Sequence, residues 1–182
     1  KDEKNLEVIT FSADVGQGGN FEELCERSLN TGALSAHVSD LKERLVKEYI
    51  FPAIKANAVY ENHYYLATAL SRPLIAEEMA SLAEEHNCRY FSHGCTGKGN
   101  DQVRIEAGLA ALAPDKPVIA PLREWDLDSR EAEIDYAKRF SIPVPVTKQS
   151  PYSLDENLWG ISIECGVLED PWNAPPEDAY IM

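Results

Sequence analysis

The chain of 182 residues is long enough to form one domain with a substantial core, and its apolar content of 44% is ordinary for a globular protein. Its formal net charge of −14 disfavours nucleic acid and anionic membranes as partners, because both require basic patches on the protein. No apolar run approaches the ~18 residues that span a bilayer, and the charged segment 1–5 precedes no apolar stretch, so we predict no membrane segment, no signal peptide and a cytoplasmic location.

Strand-like and helix-like segments alternate along the first 140 residues. Runs of β-branched and aromatic residues predict strands at 6–12, 36–38, 89–91 and 118–120. Caps, apolar spacing and glycine or proline stops predict helices at 21–30, 41–49, 54–57, 66–85, 101–113 and 130–140. The alternation predicts an α/β fold with a mainly parallel sheet, whose ligands lie at the carboxyl ends of the strands. Ala13 and Gly94 follow predicted strands and are expected at such ends.

Local signals set the expected helix boundaries. Asn20, Asp40 and Ser129 are typical N-cap residues for three of these helices. Pro52 is expected to end or kink the second helix, and Pro73 to interrupt the long helix 66–85.

Prolines become frequent after residue 140 and disfavour regular structure there. They occupy positions 143, 145, 151, 171, 175 and 176. We predict that residues 141–182 form an extended, loop-rich arm with a short helix near residues 155–158. A long irregular segment of this kind is usually functional or disordered.

The cysteines and histidines show no metal-ligand spacing. Cys25, Cys88, Cys95 and Cys165 are widely separated and contain no C-x-x-C pair, so neither a zinc site nor a disulfide framework is predicted, and no metal site is assigned. Cys95 lies in a glycine-rich loop, but the sequence marks no base beside it, which disfavours a nucleophilic cysteine. We therefore assign no catalytic residue.

That glycine-rich loop, residues 92–104, is the most informative stretch. Gly94, Gly97 and Gly99 let the backbone approach a ligand, and Asn100-Asp101 suits a helix N-cap. A strand, a glycine loop and a helix N-terminus together form a common anion site. The string is not a Walker A loop, since Lys98 precedes a glycine. Phosphate binding, carboxylate binding and a plain glycine turn all remain possible on this pattern alone.

The same string, His-Gly-Cys-Thr-Gly-Lys-Gly-Asn-Asp-Gln-Val-Arg at 93–104, resembles the signature of argininosuccinate synthetase. Further similar segments extend the resemblance over essentially the whole chain: residues 13–17, 51–58, 118–121, 142–147, 157–160 and 166–172. The resemblance implies a Rossmann-like sheet of the adenine nucleotide alpha hydrolase type. It also implies ATP-dependent ligation of citrulline and aspartate to argininosuccinate through a citrullyl-adenylate, in arginine biosynthesis, with ATP as co-substrate and Mg²⁺ as cofactor.

The resemblance also implies which residues contact each substrate. Ala13 and Gly94 correspond to ATP contacts, and Thr96, Asn100 and Asp101 to aspartate contacts. The positions that correspond to citrulline contacts are Tyr64, Asn100, Arg104, Ser153 and Ser162. Asp101 and Arg104 also have a simpler interpretation, as a helix cap and an i,i+3 ion pair. One departure is Ala69, which stands where the family usually has a serine, so that Thr68 or the backbone must replace its hydroxyl or citrulline binding is weaker.

Two parts of the family pattern are expected to lie outside this chain. The Ser-Gly-Gly-Leu-Asp-Thr-Ser loop that grips the ATP pyrophosphate is not in the sequence, and the C-terminal synthetase region is expected to be absent. We therefore expect an internal fragment of the nucleotide-binding half. It would consist of a nucleotide-binding domain at 1–140, incomplete at its N-terminus, and an arm at 141–182 that leads into the synthetase domain. The fragment alone is expected to be inactive, and the full-length form a homotetramer.

Two other functions compete with ligation. One is a non-catalytic remnant or binding module that keeps the substrate pockets. The other is a different ATP pyrophosphatase of the same fold class, which the signature at 96–104 disfavours because those positions contact substrate in the family.

Overall fold

The computed structural model describes residues 4–95, 97, 99–125, 130–142 and 152–180, without the side chains of residues 130, 131 and 133. The strands are β1 (Ile9–Asp14), β2 (Ser35–Asp40), β3 (Phe91–Ser92), β4 (Val118–Ile119), β5 (Ser153–Asn157) and β6 (Gly160–Glu164). The α-helices are α1 (Phe21–Asn30), α2 (Lys42–Arg44), α3 (Phe51–Lys55), α4 (Ala67–Glu85), α5 (Asp101–Leu112) and α6 (Arg130–Arg139). A π-helix covers Leu45–Ile50, and short 3-10 helices cover Pro121–Arg123, Gly166–Glu169 and Glu177–Ala179.

The strands before residue 120 pair in parallel, which confirms the predicted α/β fold. β1 pairs with β2 from Ile9 opposite Ser35 to Asp14 opposite Asp40, and β3 pairs with β4. β1 extends beyond the predicted segment, so Ala13 is its penultimate residue rather than the first residue of the following loop. Within the described residues the two parallel pairs share no ladder.

Helix α4 lies between two apolar clusters. Leu74 packs with Val15, Leu41, Leu45 and Ile50 in the first cluster. Ala76 and Ala83 pack with Phe91, Ile105 and Leu109 in the second. Because α4 is buried by both clusters, it has no single apolar face, which is the pattern of a central helix.

The prediction that Pro73 interrupts α4 was wrong, because the helix runs without a break from Ala67 to Glu85. Pro73 removes one backbone hydrogen bond. Leu74 and Ala76 beside it are fully buried, and this packing on both sides holds the helix through the proline.

Pro52 does not end its helix either. The chain stays helical from α2 through the π-helix into α3, and the Phe51 N–H donates to the carbonyl of Val46 in the wider π pattern. A proline ring clashes with the carbonyl four residues earlier in an α-helix, and the wider turn moves that carbonyl away. Pro52 then occupies the first turn of α3, where its missing N–H costs little.

One predicted cap is confirmed, one is displaced by a residue, and the third lies outside the described residues. The Asn20 side chain accepts hydrogen bonds from the N–H groups of Glu22 and Glu23, at 3.1 and 3.2 Å. Asp40 accepts from the Lys42 N–H at 3.1 Å, but Leu41 occupies the N-cap position of α2, so Asp40 lies one residue before the cap. Ser129 belongs to the segment that is not described.

The short helix predicted near 155–158 was wrong. These residues form most of β5 and the turn into β6, an antiparallel hairpin in which Asn157 lies opposite Gly160. The Asn157 side chain accepts from the Trp159 N–H at 2.8 Å and so closes the turn. The alternation of side chains that a strand provides places one face of the hairpin on α4, and this tertiary contact overrides the local helical preference.

The crossing of α4 and α5 depends on Gly108. A Cβ atom at this position would lie 2.8 Å from the Cβ of Ala76. We expect Gly108→Ala to lower the free energy of unfolding by about 1 kcal/mol, because overpacking costs roughly 1–3 kcal/mol and the helix propensity gained returns at most about 1 kcal/mol. Chemical denaturation measures the change. Gly18→Ala, which would meet no atom within 4 Å, is the control, and an equal or greater stability for Gly108→Ala would contradict the packing argument.

Candidate substrate-binding site

A cavity of about 460 Å³ lies between the two parallel strand pairs. Its walls come from β1, from the turn that follows β1, from α4, from His93 after β3 and from the hairpin. Ala13, Gln17, Arg72, His93 and Asp155 are among its lining residues. The position at the carboxyl ends of parallel strands is the usual ligand position in this class of sheet.

The turn after β1 is held by its own side chains. The Gln17 amide donates to the carbonyl of Ala13 at 2.7 Å and accepts from the Val15 N–H at 2.8 Å. Gly16 has a φ of 92°, which favours glycine, and its N–H donates to Asp14 at 3.0 Å. The side of the cavity that contains Ala13 is therefore rigid.

The tip of the hairpin packs on this same turn. The Leu158 N–H donates to the carbonyl of Val15 at 2.9 Å. A Cβ atom at Gly16 would lie 2.4 Å from Cγ of Leu158, so only glycine permits this approach.

The glycine-rich loop leaves the backbone exposed without using the left-handed conformation. Gly94, Gly97 and Gly99 are absent from the residues with positive φ, contrary to one reason for placing glycine there. A side chain at Gly99 would meet no atom within 4 Å, and one at Gly94 or Gly97 would make only ordinary contacts at 3.9 Å. The missing side chains instead leave open space above the loop. Thr96 and Lys98 lie outside the described residues.

A network of polar side chains from α5 and from Arg123 holds the glycine-rich loop. Glu106 on α5 contacts Nε2 of His93 at 2.9 Å and the Arg123 guanidinium at 2.8 Å. Arg123 donates to Gln102 at 2.9 Å, and the Gln102 amide donates to the carbonyl of Gly97 at 2.8 Å. Sequence reasoning missed Glu106 and Arg123, because no local pattern links positions so far apart in the chain.

Cys95 is unsuited to nucleophilic chemistry. Burial raises the pKa of the Cys95 thiol, and the negative charge of Asp101 adds to the rise. The thiol therefore stays protonated near neutral pH, as expected for a cysteine without an activating base.

Asn100 and Asp101 begin α5 but do not act as simple caps. Asn100 occupies the N-cap position, yet its side chain makes no capping hydrogen bond. The Asp101 carboxylate instead contacts the Arg72 guanidinium at 2.8 Å and the Arg104 guanidinium at 3.6 Å. The i,i+3 ion pair predicted for Asp101 and Arg104 is present, and Arg72 is the shorter contact.

Arg72 is a further residue of the cavity wall that the sequence did not indicate. Its Nη2 atom lies 2.8 Å from Oδ2 of Asp101 and 2.8 Å from Oδ1 of Asp155 on the hairpin. Burial alone would lower the pKa of Arg72, but the hydrogen bonds to both carboxylates outweigh that effect and raise it. The side chain is 14% exposed, and it carries a permanent positive charge in the cavity wall.

Tyr64, Thr68 and Ser162 meet at the start of α4. The Tyr64 hydroxyl accepts a hydrogen bond from the Thr68 N–H at 2.9 Å, and the Thr68 and Ser162 hydroxyl oxygens are 3.4 Å apart. Thr68 is buried. Thr68, rather than Ala69, therefore presents a hydroxyl next to the two residues matched to citrulline contacts.

One face of the hairpin carries the remaining matched residues. Asp155 lies opposite Ser162, and Ser153 lies opposite Glu164, so these side chains share a face. The buried Asn157 belongs to the same face, and its amide donates to the carbonyl of Ala67 at 2.8 Å. Ser153 is exposed at the far end of the strand. The hairpin thus brings Ser162 and Asp155 to α4 but leaves Ser153 outside the group.

The attachment of the hairpin can be measured through Asn157. We expect Asn157→Ala to lower the free energy of unfolding by roughly 1–3 kcal/mol, because the buried carbonyl of Ala67 loses its donor. Denaturant titration followed by tryptophan fluorescence checks this, since Trp159 is the next residue but one.

Asn173→Ala is the matched control. The Asn173 amide donates to the Asp170 carboxylate at 3.1 Å, but Asn173 is exposed, so its loss should change stability by less than about 0.5 kcal/mol. Equal losses for the two variants would contradict the role given to Asn157.

Two kinds of feature do not occur among the described residues. They contain no group of three or more histidine, cysteine, aspartate or glutamate side chains that could hold a metal ion. None of the helices among them has the length and apolar character needed to cross a bilayer.

Parallel strands, intervening helices and a cavity at the carboxyl ends of the strands define an α/β domain of the nucleotide-binding HUP class. Residues 1–143 match the family described as "Arginosuccinate synthase N-terminal HUP domain", and residues 152–182 match "Arginosuccinate synthase C-terminal domain". The chain belongs to the argininosuccinate synthase family. Since the second match begins at residue 152, the chain contains residues of both domains, whereas we had expected the synthetase region to be absent.

Similar proteins support the same assignment. The argininosuccinate synthase of Dictyoglomus thermophilum is 59% identical over 177 residues, which are 97% of this chain and 44% of that protein. Those of Aquifex aeolicus and Chlorobium luteolum are 56% and 55% identical, over 98% and 99% of this chain and 44% and 45% of their own lengths. The chain therefore spans less than half the length of these relatives.

Proposed function

We propose that this chain is part of an enzyme that ligates citrulline and aspartate to argininosuccinate at the expense of ATP. The observation that carries the proposal is the convergence of the matched residues Asp101, Tyr64 and Ser162 on α4, beside a cavity that contains Ala13. In this reaction the ureido oxygen of citrulline attacks the α-phosphorus of ATP and pyrophosphate leaves. The amine of aspartate then attacks the ureido carbon, and AMP leaves.

Such a reaction requires alignment and charge neutralisation more than acid–base catalysis. Ala13 in the rigid wall of the cavity suits contact with an adenine ring, and the open loop at Gly94 suits contact with the rest of the nucleotide. No metal-ligand group occurs among the described residues, so we propose that Mg²⁺ is held mainly by the ATP phosphates.

For aspartate, we propose contacts from Thr96, Asn100 and Asp101. The Asp101 carboxylate is a partner for the amino group of the substrate, and the Asn100 side chain, free of a capping bond, is available to hydrogen-bond it. In this scheme the Asp101 carboxylate pairs with the ammonium group and orients it towards the ureido carbon.

For citrulline, we propose contacts from Tyr64, Asn100, Arg104, Ser153 and Ser162. Thr68 supplies the hydroxyl that Ala69 lacks, because it lies within 3.4 Å of Ser162 and also bonds Tyr64.

We further propose that the Ser-Gly-Gly-x-Asp-x-Ser loop and further synthetase contacts come from parts of the protein outside this chain, which in its full-length form is a cytoplasmic homotetramer. The strand pairing is compatible with this. Among the described residues β1 pairs only with β2 and β3 only with β4, so each pair has an edge on which a further parallel strand could pair. The competing possibility is a binding module that retains the substrate pockets but has no pyrophosphate loop. The sequence of this chain does not contain that loop.

One experiment separates ligation from binding alone. The full-length gene product is expected to release pyrophosphate and form argininosuccinate with citrulline, aspartate, ATP and Mg²⁺. The 182-residue chain is expected to be slower by at least about 10²–10³-fold, because the loss of even one preorganised donor to a reacting anion typically costs that much. Absence of turnover in the full-length product, with substrate binding retained, would favour the binding module. Equal turnover by the chain would show that the missing loop is dispensable.

The role of Asp101 can be tested in the full-length product. We expect Asp101→Asn to lower kcat/KM for aspartate about tenfold or more, because a charge-assisted contact worth roughly 1.5–3 kcal/mol is lost. The dependence on ATP should change little. Steady-state kinetics with each substrate varied in turn gives both constants.

Asp135→Asn is the control, because Asp135 is exposed on α6. Its ion pair with Lys138, at 3.3 Å, also lies at the surface. Equal losses for ATP and aspartate in Asp101→Asn, or none, would refute this assignment.

A further inference from the structure

Arg72 joins the start of α5 to the hairpin through a single guanidinium group. Its Nη2 atom is 2.8 Å from Asp101, at the start of the helix that follows the glycine loop, and 2.8 Å from Asp155, in the hairpin. Asp101 is matched to an aspartate contact, and Asp155 lies directly opposite Ser162, which is matched to a citrulline contact.

We propose that Arg72 is a positioning residue that couples the binding of aspartate to the binding of citrulline. This inference rests on the proposed function, and deepens it by assigning a communication between the two amino-acid sites to one guanidinium. Arg72 touches neither substrate in this scheme. It acts through Asp101 on one side and through Asp155 on the other.

The coupling follows because one donor atom, Nη2 of Arg72, is shared between the carboxylates of Asp101 and Asp155. The ammonium group of aspartate carries the same charge as Arg72 and competes with it for Asp101. When the ammonium binds, Arg72 shifts its hydrogen bonding towards Asp155. The hairpin is then held more firmly on α4, and Ser162 is held beside Thr68 and Tyr64. By linkage, citrulline that orders the hairpin favours aspartate by the same factor.

The surroundings of Arg72 suit a transmitting role. Ser71 and Leu74 on either side are fully buried, so packing holds this segment of α4 in place. The hairpin is held at its turn by Asn157 and Leu158, whereas Asp155 is its ion-paired attachment towards the open end. A change at Asp155 therefore affects the position of the strand without detaching it.

A second arginine provides the matched control. Arg44 also joins two elements through several carboxylates, Glu48, Glu77 and Glu78, at 2.9 to 3.3 Å. It is not among the residues that line the cavity. Arg44→Gln thus removes a cluster of ion pairs that joins α2 to α4 without touching either amino-acid site.

The first measurement is calorimetric binding of aspartate to the full-length gene product, with and without saturating citrulline. We expect citrulline to tighten aspartate binding at least about fivefold, which is the lower end of the usual range of coupling. Asp155→Asn is expected to reduce this factor to near one, although Asp155 does not contact aspartate. Arg72→Gln should do the same, Arg72→Lys should retain part of it, and Arg44→Gln should retain all of it. An unchanged factor in Asp155→Asn, with citrulline still bound, would overturn the proposal.

The second measurement does not depend on turnover or on ligand binding. Arg72→Gln is expected to raise amide hydrogen exchange in residues 153–164 and in 101–104, because one guanidinium attaches both segments to α4, whereas Arg44→Gln should raise it in neither. Unchanged exchange in the hairpin overturns the linkage through Arg72 even if the protein makes argininosuccinate. A parent protein that binds neither amino acid refutes the proposed function and the coupling between substrates, while the exchange result still decides whether Arg72 joins the two segments.

Discussion

The ion pairs of Arg72 hold together three parts of the protein that are far apart in the chain. The guanidinium on α4 binds a carboxylate at the start of α5 and another in the hairpin, each at 2.8 Å. Because the arginine is largely buried, removing either carboxylate would leave a charge without adequate compensation, and such unpaired charges are costly. The positions of the glycine loop and of the hairpin relative to α4 are therefore not independent of each other.

Helix α4 makes this arrangement precise because it belongs to both apolar clusters. Leu74 packs towards the β1 side and Ala76 towards α5, where Gly108 allows close approach. Residues at the start of the helix are held in turn by Tyr64, whose hydroxyl accepts from the Thr68 N–H. A site built on a helix that is packed on two sides varies less in geometry than one built on loops. Here the loops leave the site open to a ligand, and α4 fixes the positions of the residues around it.

The success of sequence reasoning depended on how local each signal was. Helix α1 and its Asn20 cap were predicted with their correct bounds, because the cap and the stop lie next to the helix in the sequence. Pro73 and residues 155–158 were misjudged, since burial of α4 and docking of the hairpin override local preference. The matched residues were recognised only through their resemblance to a family, and their roles stay predictions.

Long-range partners were beyond reach for a different reason. Arg72 is 29 residues from Asp101 and 83 from Asp155, and no motif within the sequence joins them. Glu106 and Arg123 likewise meet only after folding. Even the three glycines, which did mark the loop, serve there by leaving space rather than by adopting positive φ.

The charge pattern of the site explains how an acidic chain can suit these ligands. With 31 acidic and 17 basic residues, the chain as a whole repels anions, and Arg72, Arg104 and Arg123 are each paired with a carboxylate. In the proposed scheme the ammonium of an amino acid takes the Asp101 carboxylate while Arg72 keeps its hydrogen bond to Asp155, so neither charge is left uncompensated. A triphosphate brings only negative charge, and capturing an arginine would leave Asp101 or Glu106 exposed to repulsion. Under the proposed function, the amino acids are therefore held through ion pairs beside the cavity, whereas the nucleotide relies on backbone N–H donors of the open loop and on its own cations.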